Sequence, residues 1–513
     1  MKKLVFSLSF LLSFFVNYSQ SVFAKVYEQD MNIELEANSI AETPDSNLLL
    51  AGNLNNKPCI IKTDVNGSLF WARTFGNNGS FNRIIIDSDS TFIATGYITE
   101  DFNNSNVLII RAYFNGDTIW IKELEDGLNE LAYNIEKTSD SCYIISGFSS
   151  TEIIDYYGTP YYSDLLLAKI DAEGNTVWFN KITDSNPITR SMVLYSTKEI
   201  NDSVYFSTGF VMDSTFHPGR LAMLIVKSDN NGNIEWVKRQ SDAGLSSSIG
   251  YDLFADSTGI LFMAEQSSEI SFIKMYINGD FAYSKKTGQY ADYEGIPKLH
   301  TTKDSSFIVC CNNGFTKFDV FGNPIFSKGI NCVYSHDCIE TYDKGFVHVG
   351  SGPFWLVKSG EFSQISLVKT DSLGTSIDCT QETWSNDPSF FSVVFSEIPV
   401  IINSGGILMA FSGDINNEYI FEKNGCVDIY GSLEENSGNE IKISPNPAKE
   451  EINIEGEGIV CVEILSVSGK KLIEKQNAIS NFCNISLFML PRAMYFVRIS
   501  TKNGVFIKKL MVY

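Results

Sequence analysis

The chain has 513 residues, a formal net charge of −22, 44% hydrophobic residues and 13% aromatics. That length exceeds one ordinary core and predicts two or three units, and the apolar content excludes global disorder. No basic run breaks the acidic surface, so no nucleic-acid partner is expected.

At the N-terminus, Lys2 and Lys3 precede an apolar run from Leu4 to Val16 broken only by serines. This is the pattern of a secretory signal peptide, and the run is too short to span a bilayer comfortably. Residues 1–20 are read as the signal. Cleavage after Gln20 is preferred to cleavage after Ala24, because the next residues read as a strand. No later segment is long enough to be transmembrane.

From residue 22 to 379 a unit recurs: an apolar run, Asp-x-x-Gly or Asn-Gly, then an aromatic four residues after the glycine. The turn glycines Gly67, Gly116, Gly174, Gly232, Gly279, Gly322 and Gly374 mark seven copies, and the slot holds Trp71, Trp120, Trp178, Trp236, Tyr283 and Phe326 in the first six. The seventh has Asp378 there. A second unit, such as Asp45-Ser46 to Gly52 or Asp140-Ser141 to Gly147, precedes each. Asp, Ser, Asn and Gly supply turn conformations between runs suited to buried strands, so each repeat predicts about four short strands. A lone sheet cannot bury both faces, whereas sheets packed radially can, with the slot aromatics filling the gaps. These repeats resemble the propeller repeats of large secreted bacterial proteins and, more distantly, the tryptophan-docking repeats of quinoprotein propellers. The resemblance implies an all-β, seven-bladed, alternatively eight-bladed, β-propeller over 21–379. The stretch Val22–Tyr27 has the pattern of a fourth strand and is expected to complete the seventh blade.

Residues 380–431 read either as extra strands or as a decayed eighth blade. Residues 432–440 are a polar linker. Residues 441–513 alternate in hydrophobicity as a small antiparallel sandwich does, and carry ten Lys and Arg against six Glu within an otherwise acidic chain. Several short motifs stand out here: Pro445-Asn446-Pro447, Gly469-Lys470, Leu490-Pro491, Tyr495, and Lys509-Leu510 with Val512. Together they resemble the type A sorting domain of the type IX secretion system. That resemblance implies export across the inner and then the outer membrane, with the secretion machinery and its sortase as partners. It also implies a body released or held at the cell surface. Ala493 stands where the family usually has glycine, so a slightly strained turn is expected.

Signs of chemistry are sparse. There is no Gly-x-Ser-x-Gly elbow, no His-Glu-x-x-His and no phosphate-cradling glycine loop. With four His and no zinc-like Cys spacing among ten Cys, no metal or cofactor is expected. Asp229 to Gly232 is read as a turn rather than a calcium loop. The adjacent Cys310 and Cys311 could form a vicinal disulfide as in quinoprotein dehydrogenases, but are read as strand cysteines on opposite faces. Cys379 with Cys426, and Cys461 with Cys483, are the expected disulfide pairs. A long loop in the third repeat carries Tyr156, Tyr157, Tyr161 and Tyr162, aromatics suited to contact with sugars or proteins. The balance favours a non-catalytic binding scaffold for an extracellular protein or glycan over a propeller enzyme such as a glycoside hydrolase or quinoprotein dehydrogenase.

Overall fold

In the computed structural model, the described part lies within residues 22–512, excluding 29–33, 102–103, 152–161, 186–188, 201–202, 214–219, 241–246, 257, 291–295, 312–313, 331–333, 352–363, 377–379, 382–388, 391–392, 412, 419, 425–441, 450, 466–470, 489, 492 and 502–503. The expected signal peptide and linker therefore lie outside the described residues. The chain divides into two compact units, Met1–Ile429 and Tyr430–Tyr513.

The first unit is all-β and propeller-like. Each sequence repeat forms antiparallel strands in chain order; the first repeat is Leu35–Glu42, Leu48–Leu54, Lys57–Thr63 and Leu69–Phe75. The turn aspartates act locally. Asp64 Oδ1 accepts the backbone N–H groups of Asn66 (2.8 Å) and Ser68 (2.7 Å), closing the turn in which Gly67 takes φ 77°. Asp171, Asp229, Asp319 and Asp371 do the same, so the Asp229 segment is a turn. Apolar clusters fill the spaces between successive repeats. One joins Leu49, Phe75 and Ile60 to Phe81, Phe92 and Leu108; another joins Leu165 and Leu167 to Leu194, Tyr205 and Leu224.

Two features come from distant parts of the chain. The N-terminal strand Phe23–Glu28 pairs with Ile365–Thr370 of the seventh repeat, as the Val22–Tyr27 pattern predicts. Phe23 falls opposite Lys369, the register position that Trp71 holds opposite Lys62, so it stands in the slot where the seventh repeat lacks an aromatic. Its ring lies against Gly67 of the first repeat, and Tyr27 donates its hydroxyl to the Gly67 carbonyl at 2.5 Å.

Residues 380–424 return around the outside as a belt of short strands. Thr380–Gln381 pairs with the fourth strand of the sixth repeat, Ser389–Phe390 with the fifth and Phe395–Glu397 with the fourth. Val400–Ser404 pairs with the third, Ile407–Ala410 with the second and Ile415–Asn417 with the first. Finally Phe421–Asn424 pairs with the N-terminal strand itself. Among the described residues this gives five five-stranded sheets and one ten-stranded sheet. In the latter, the third and fourth repeats meet at the single parallel pair Ser163 and Ser191.

The second unit is hydrogen-bonded as one antiparallel sheet. Its long strand Glu451–Leu465 pairs along one edge with Lys471–Ser486 and along the other with Lys442–Ser444, then Met494–Thr501. The pairing breaks register between Glu455 and Ile459, and residues on both sides of the break, Ile452 and Ile454, then Val462 and Ile464, share one buried core.

Candidate functional site

Six innermost strands carry a β-bulge at the same place. Among the described residues, those skipped by the strand register are Asn38, Asn82, Tyr133, Tyr195, Tyr251 and His336. A bulge presses backbone towards the neighbouring strand. The glycine ending the second sequence unit makes room for it: a Cβ on Gly52 would lie 2.0 Å from the Glu36 carbonyl oxygen, and one on Gly147 1.8 Å from that of Leu131. The recurring glycine was therefore the sequence signal of the bulges.

The bulged residues line one cavity of about 180 Å³ on the inner strands, together with Ile296 and Lys298 of the sixth repeat. Three tyrosines form one wall. Tyr133 and Tyr195 meet edge to face at 4.8 Å and Tyr195 stacks on Tyr251 at 5.8 Å, while Tyr251 donates its hydroxyl to Glu265 at 2.6 Å. Amides form another: Asn82 donates to the Ala132 carbonyl at 2.8 Å and Asn38 to that of Phe81 at 3.0 Å, tying one repeat to the next.

The residues just after the bulges are buried and mostly polar, and they bridge repeats. Asp337 accepts from Ser39 Oγ (2.9 Å), Ile40 N (3.1 Å) and Cys338 N (2.9 Å), and faces His300 Nε2 at 2.7 Å. His300 and Lys298 hold its carboxyl far below the usual carboxylate range despite burial. Asp252 accepts from Ser196 Oγ (2.6 Å) and from Leu253 N and Leu299 N (2.8 and 2.9 Å). Lys298 donates to the carbonyls of Asn38 and Asn82, and burial pulls its ammonium down to about 8. Burial likewise pulls His336 down to about 4, so it is neutral at pH 7. Arg83 is 5% exposed, and its Nε has no hydrogen-bond partner. Arg83 also lines a second cavity of about 340 Å³, bounded by Glu42, His300, Lys303 and Tyr342.

The sequence-predicted residues lie elsewhere. The slot aromatics sit on the fourth strands. Trp120 donates its indole N–H to the Ala172 carbonyl and Trp178 to that of Asn230, each 3.0 Å away in the following repeat. Trp236 and Phe326 lie against Gly279 and Gly374 of the following repeats, Trp71 packs among the residues between the first two repeats, and Tyr283 pairs opposite Lys274. The residue across from each aromatic, from Lys62 and Arg111 to Lys317 and Lys369, is always basic, and five of these seven form ion pairs with a turn aspartate, such as Lys169 with Asp140 at 2.6 Å. That pattern was legible as a basic residue two places before the turn Asp or four before the Asn-Gly, and it was missed. Tyr156, Tyr157 and Tyr161 lie outside the described residues; Tyr162 is exposed, with φ 57°.

One expected cysteine pair, Cys461 with Cys483, needs correction. Cys310 is bonded to Cys338, joining the sixth and seventh repeats, which rules out a vicinal disulfide with Cys311. Cys461 and Cys483 form no disulfide with each other: their register partners on the facing strands are Gln476 and Ile454. Cys379 and Cys426 lie outside the described residues.

In the second unit the motif residues converge on the two ends of the sheet. Asn446 Oδ1 accepts Met511 N at 2.9 Å, Ala448 N donates to the Met511 carbonyl at 2.7 Å, and Tyr495 donates its hydroxyl to the Pro491 carbonyl at 2.7 Å. Leu510 and Val512 are buried in the core, with Leu490 packed against it; Lys509 pairs with Phe496. Pro445 and Pro447 flank Asn446 behind cis peptide bonds. Gly469 and Lys470 lie outside the described residues.

The fold thus defines an all-β protein with a propeller-like body and a separate C-terminal β-unit. Residues 442–513 match the secretion system C-terminal sorting domain family, so the protein is exported through interaction with the type IX secretion machinery and is secreted or displayed at the cell surface. Over 176 residues, 32% of this chain, it is 27% identical to an uncharacterised WD repeat-containing protein of Acanthamoeba polyphaga mimivirus, and the chain spans only 11% of that protein's length. A solved structure of unknown function from Bacteroides caccae is 12% identical over 58% of this chain and 94% of its own, with a TM-score of 0.35. The extracellular domain assigned to a hybrid two-component system of B. thetaiotaomicron is 10% identical over 93% of this chain and 75% of its own, with a TM-score of 0.18.

Proposed function

We propose that the body is a seven-bladed propeller acting outside the cell as a non-catalytic binding scaffold, delivered by a signal peptide over residues 1–20 and a type A sorting domain read by the sortase. The count of seven follows from dividing the ten-stranded sheet at its single-pair contact, Ser163 with Ser191, so that each repeat is one blade. Residues 380–424 then count as extra strands, a fifth for each blade, rather than as an eighth blade. A class average viewed down the ring axis by electron microscopy tests the count.

One observation carries the binding reading. The bulges aim aromatic and amide side chains into a shared cavity, while Asp252, which lines it, and Asp337, beside the lining His336, are engaged as acceptors between blades. A carboxylate holding backbone N–H groups and hydroxyls on both oxygens keeps the ring together and is a poor general base. The deciding experiment probes the secreted protein on glycan and host-protein arrays, beside assays with chromogenic glycosides and with quinone plus calcium. Retention of a ligand without turnover is expected; turnover in either assay overturns the reading.

A further inference from the structure

The inner-strand cavity is lined by one cation with an unused hydrogen-bond donor. Arg83 is 95% buried by its 5% exposure, lines both cavities, and its Nε lacks an acceptor. The acids nearby are already committed. Asp337 holds Ser39, Ile40, Cys338 and His300, and Asp252 holds Ser196, Leu253 and Leu299. Lys298 adds a second cation, tied to the carbonyl of Asn82, the residue before Arg83. A buried guanidinium N–H without an acceptor is costly, and the planar fork matches a carboxylate. Asn134, 4% exposed on the same cavity, also has an unpartnered Oδ1, an acceptor suited to a ligand hydroxyl. The same cavity is lined by the tyrosine wall of Tyr133, Tyr195 and Tyr251. The volume of about 180 Å³ equals roughly six waters, which suits one sugar ring and excludes a chain.

We propose that this cavity binds a single acidic sugar unit, a hexuronate, with its carboxylate on Arg83 beside Lys298, a hydroxyl on Asn134 and its ring against the tyrosines. The inference rests on the binding-scaffold reading and names the chemistry of its ligand. Carbohydrate rings commonly pack on aromatic faces, and an arginine fork supplies selectivity for the acid over the neutral sugar.

Calorimetric titration of the full-length protein with glucuronate, glucose and acetate at matched ionic strength tests it. Saturable binding of glucuronate is expected, at least tenfold tighter than either glucose or acetate. Arg83→Met should lose at least tenfold in glucuronate affinity while still unfolding in a single cooperative thermal transition. Should that variant fail to fold, Arg83→Lys keeps the charge without the fork and should lose several-fold. Equal binding of glucose, equal binding of acetate, or full affinity in the folded Arg83→Met variant each overturns the proposal. A protein that retains ligands on the arrays but ignores glucuronate refutes this site and leaves the scaffold reading standing.

Discussion

At the residue scale, two glutamates, the half-buried Glu42 and the buried Glu130, set a pH signature. Burial pushes Glu42 up to about 7 although it accepts Tyr342 N at 2.7 Å, and burial pushes Glu130 to about 7, with its Oε2 unpartnered. A carboxyl raised on folding contributes stability that is complete below its unfolded value, near 4.5, and lost as pH rises to about 7. His336 and His348 act in the opposite sense: burial lowers them to about 4 and about 3, so their contribution is lost as pH falls below 6.5. The two effects overlap between pH 4.5 and 6.5, so the parent profile alone does not separate them, whereas a variant does. Glu42→Gln keeps an acceptor for Tyr342 N and removes the charge. Its urea midpoint relative to the parent should rise from pH 5 to pH 8; a difference that is the same at both values refutes the assignment. The turn residues were the part of this scale legible in sequence, because an Asp-x-x-Gly turn closes within five positions. Asp337 was not, since its value comes from Ser39 and Ile40, some 300 positions away.

At the element scale, four strands per repeat were legible because each is bounded by its own turn chemistry. The belt was not. Its strands are two to five residues long, and each pairs with a fourth strand 50 to 400 positions earlier in the chain. Even its most apolar piece, Ile407–Ala410, leaves Ile407 and Met409 exposed, so no burial pattern marks it. The bulges were partly legible through their glycines, yet a bulge is defined by a partner strand that the sequence does not display. The N-terminal strand was legible because it repeats a pattern seen elsewhere. Its anchor is Phe23, 9% exposed and packed on Gly67. Phe23→Ala should cost on the order of 3 kcal/mol, at the low end for a core phenylalanine because one edge of the site is near solvent. Chemical denaturation of the secreted protein checks this, and a loss below about 1 kcal/mol would mean that the belt strand Phe421–Asn424 closes the ring without it. The belt itself covers the outer edge of every sheet, and open edges invite pairing with other chains. A chain ending at residue 379 should therefore elute as oligomers in size-exclusion chromatography where the full chain elutes as a monomer; a monomeric truncation would show that the edges are protected in another way.

At the scale of the whole molecule, the two units divide folding from delivery. The C-terminal unit has a core of its own, from Ile452 and Val462 to Leu510 and Val512, and its motif residues bind one another: Asn446 holds Met511, and Tyr495 holds Pro491. The motif is therefore also the device that closes the sheet, and a variant that loses export has lost either the recognised surface or the fold. Two substitutions separate these. Tyr495→Phe removes only the hydroxyl bond to the Pro491 carbonyl, worth about 1 kcal/mol, and should leave export intact. Leu510→Asp places a charge at a fully buried position and should unfold the unit, since an uncompensated buried charge costs several kcal/mol. Deleting residues 442–513 should leave the body folded, with its own clusters untouched, and confined within the cell envelope. Fractionation with immunoblotting reads all three: the Tyr495→Phe protein outside, and the other two inside. Export of the deletion variant would mean that the body carries its own address; retention of Tyr495→Phe would make that hydroxyl part of what the secretion machinery recognises.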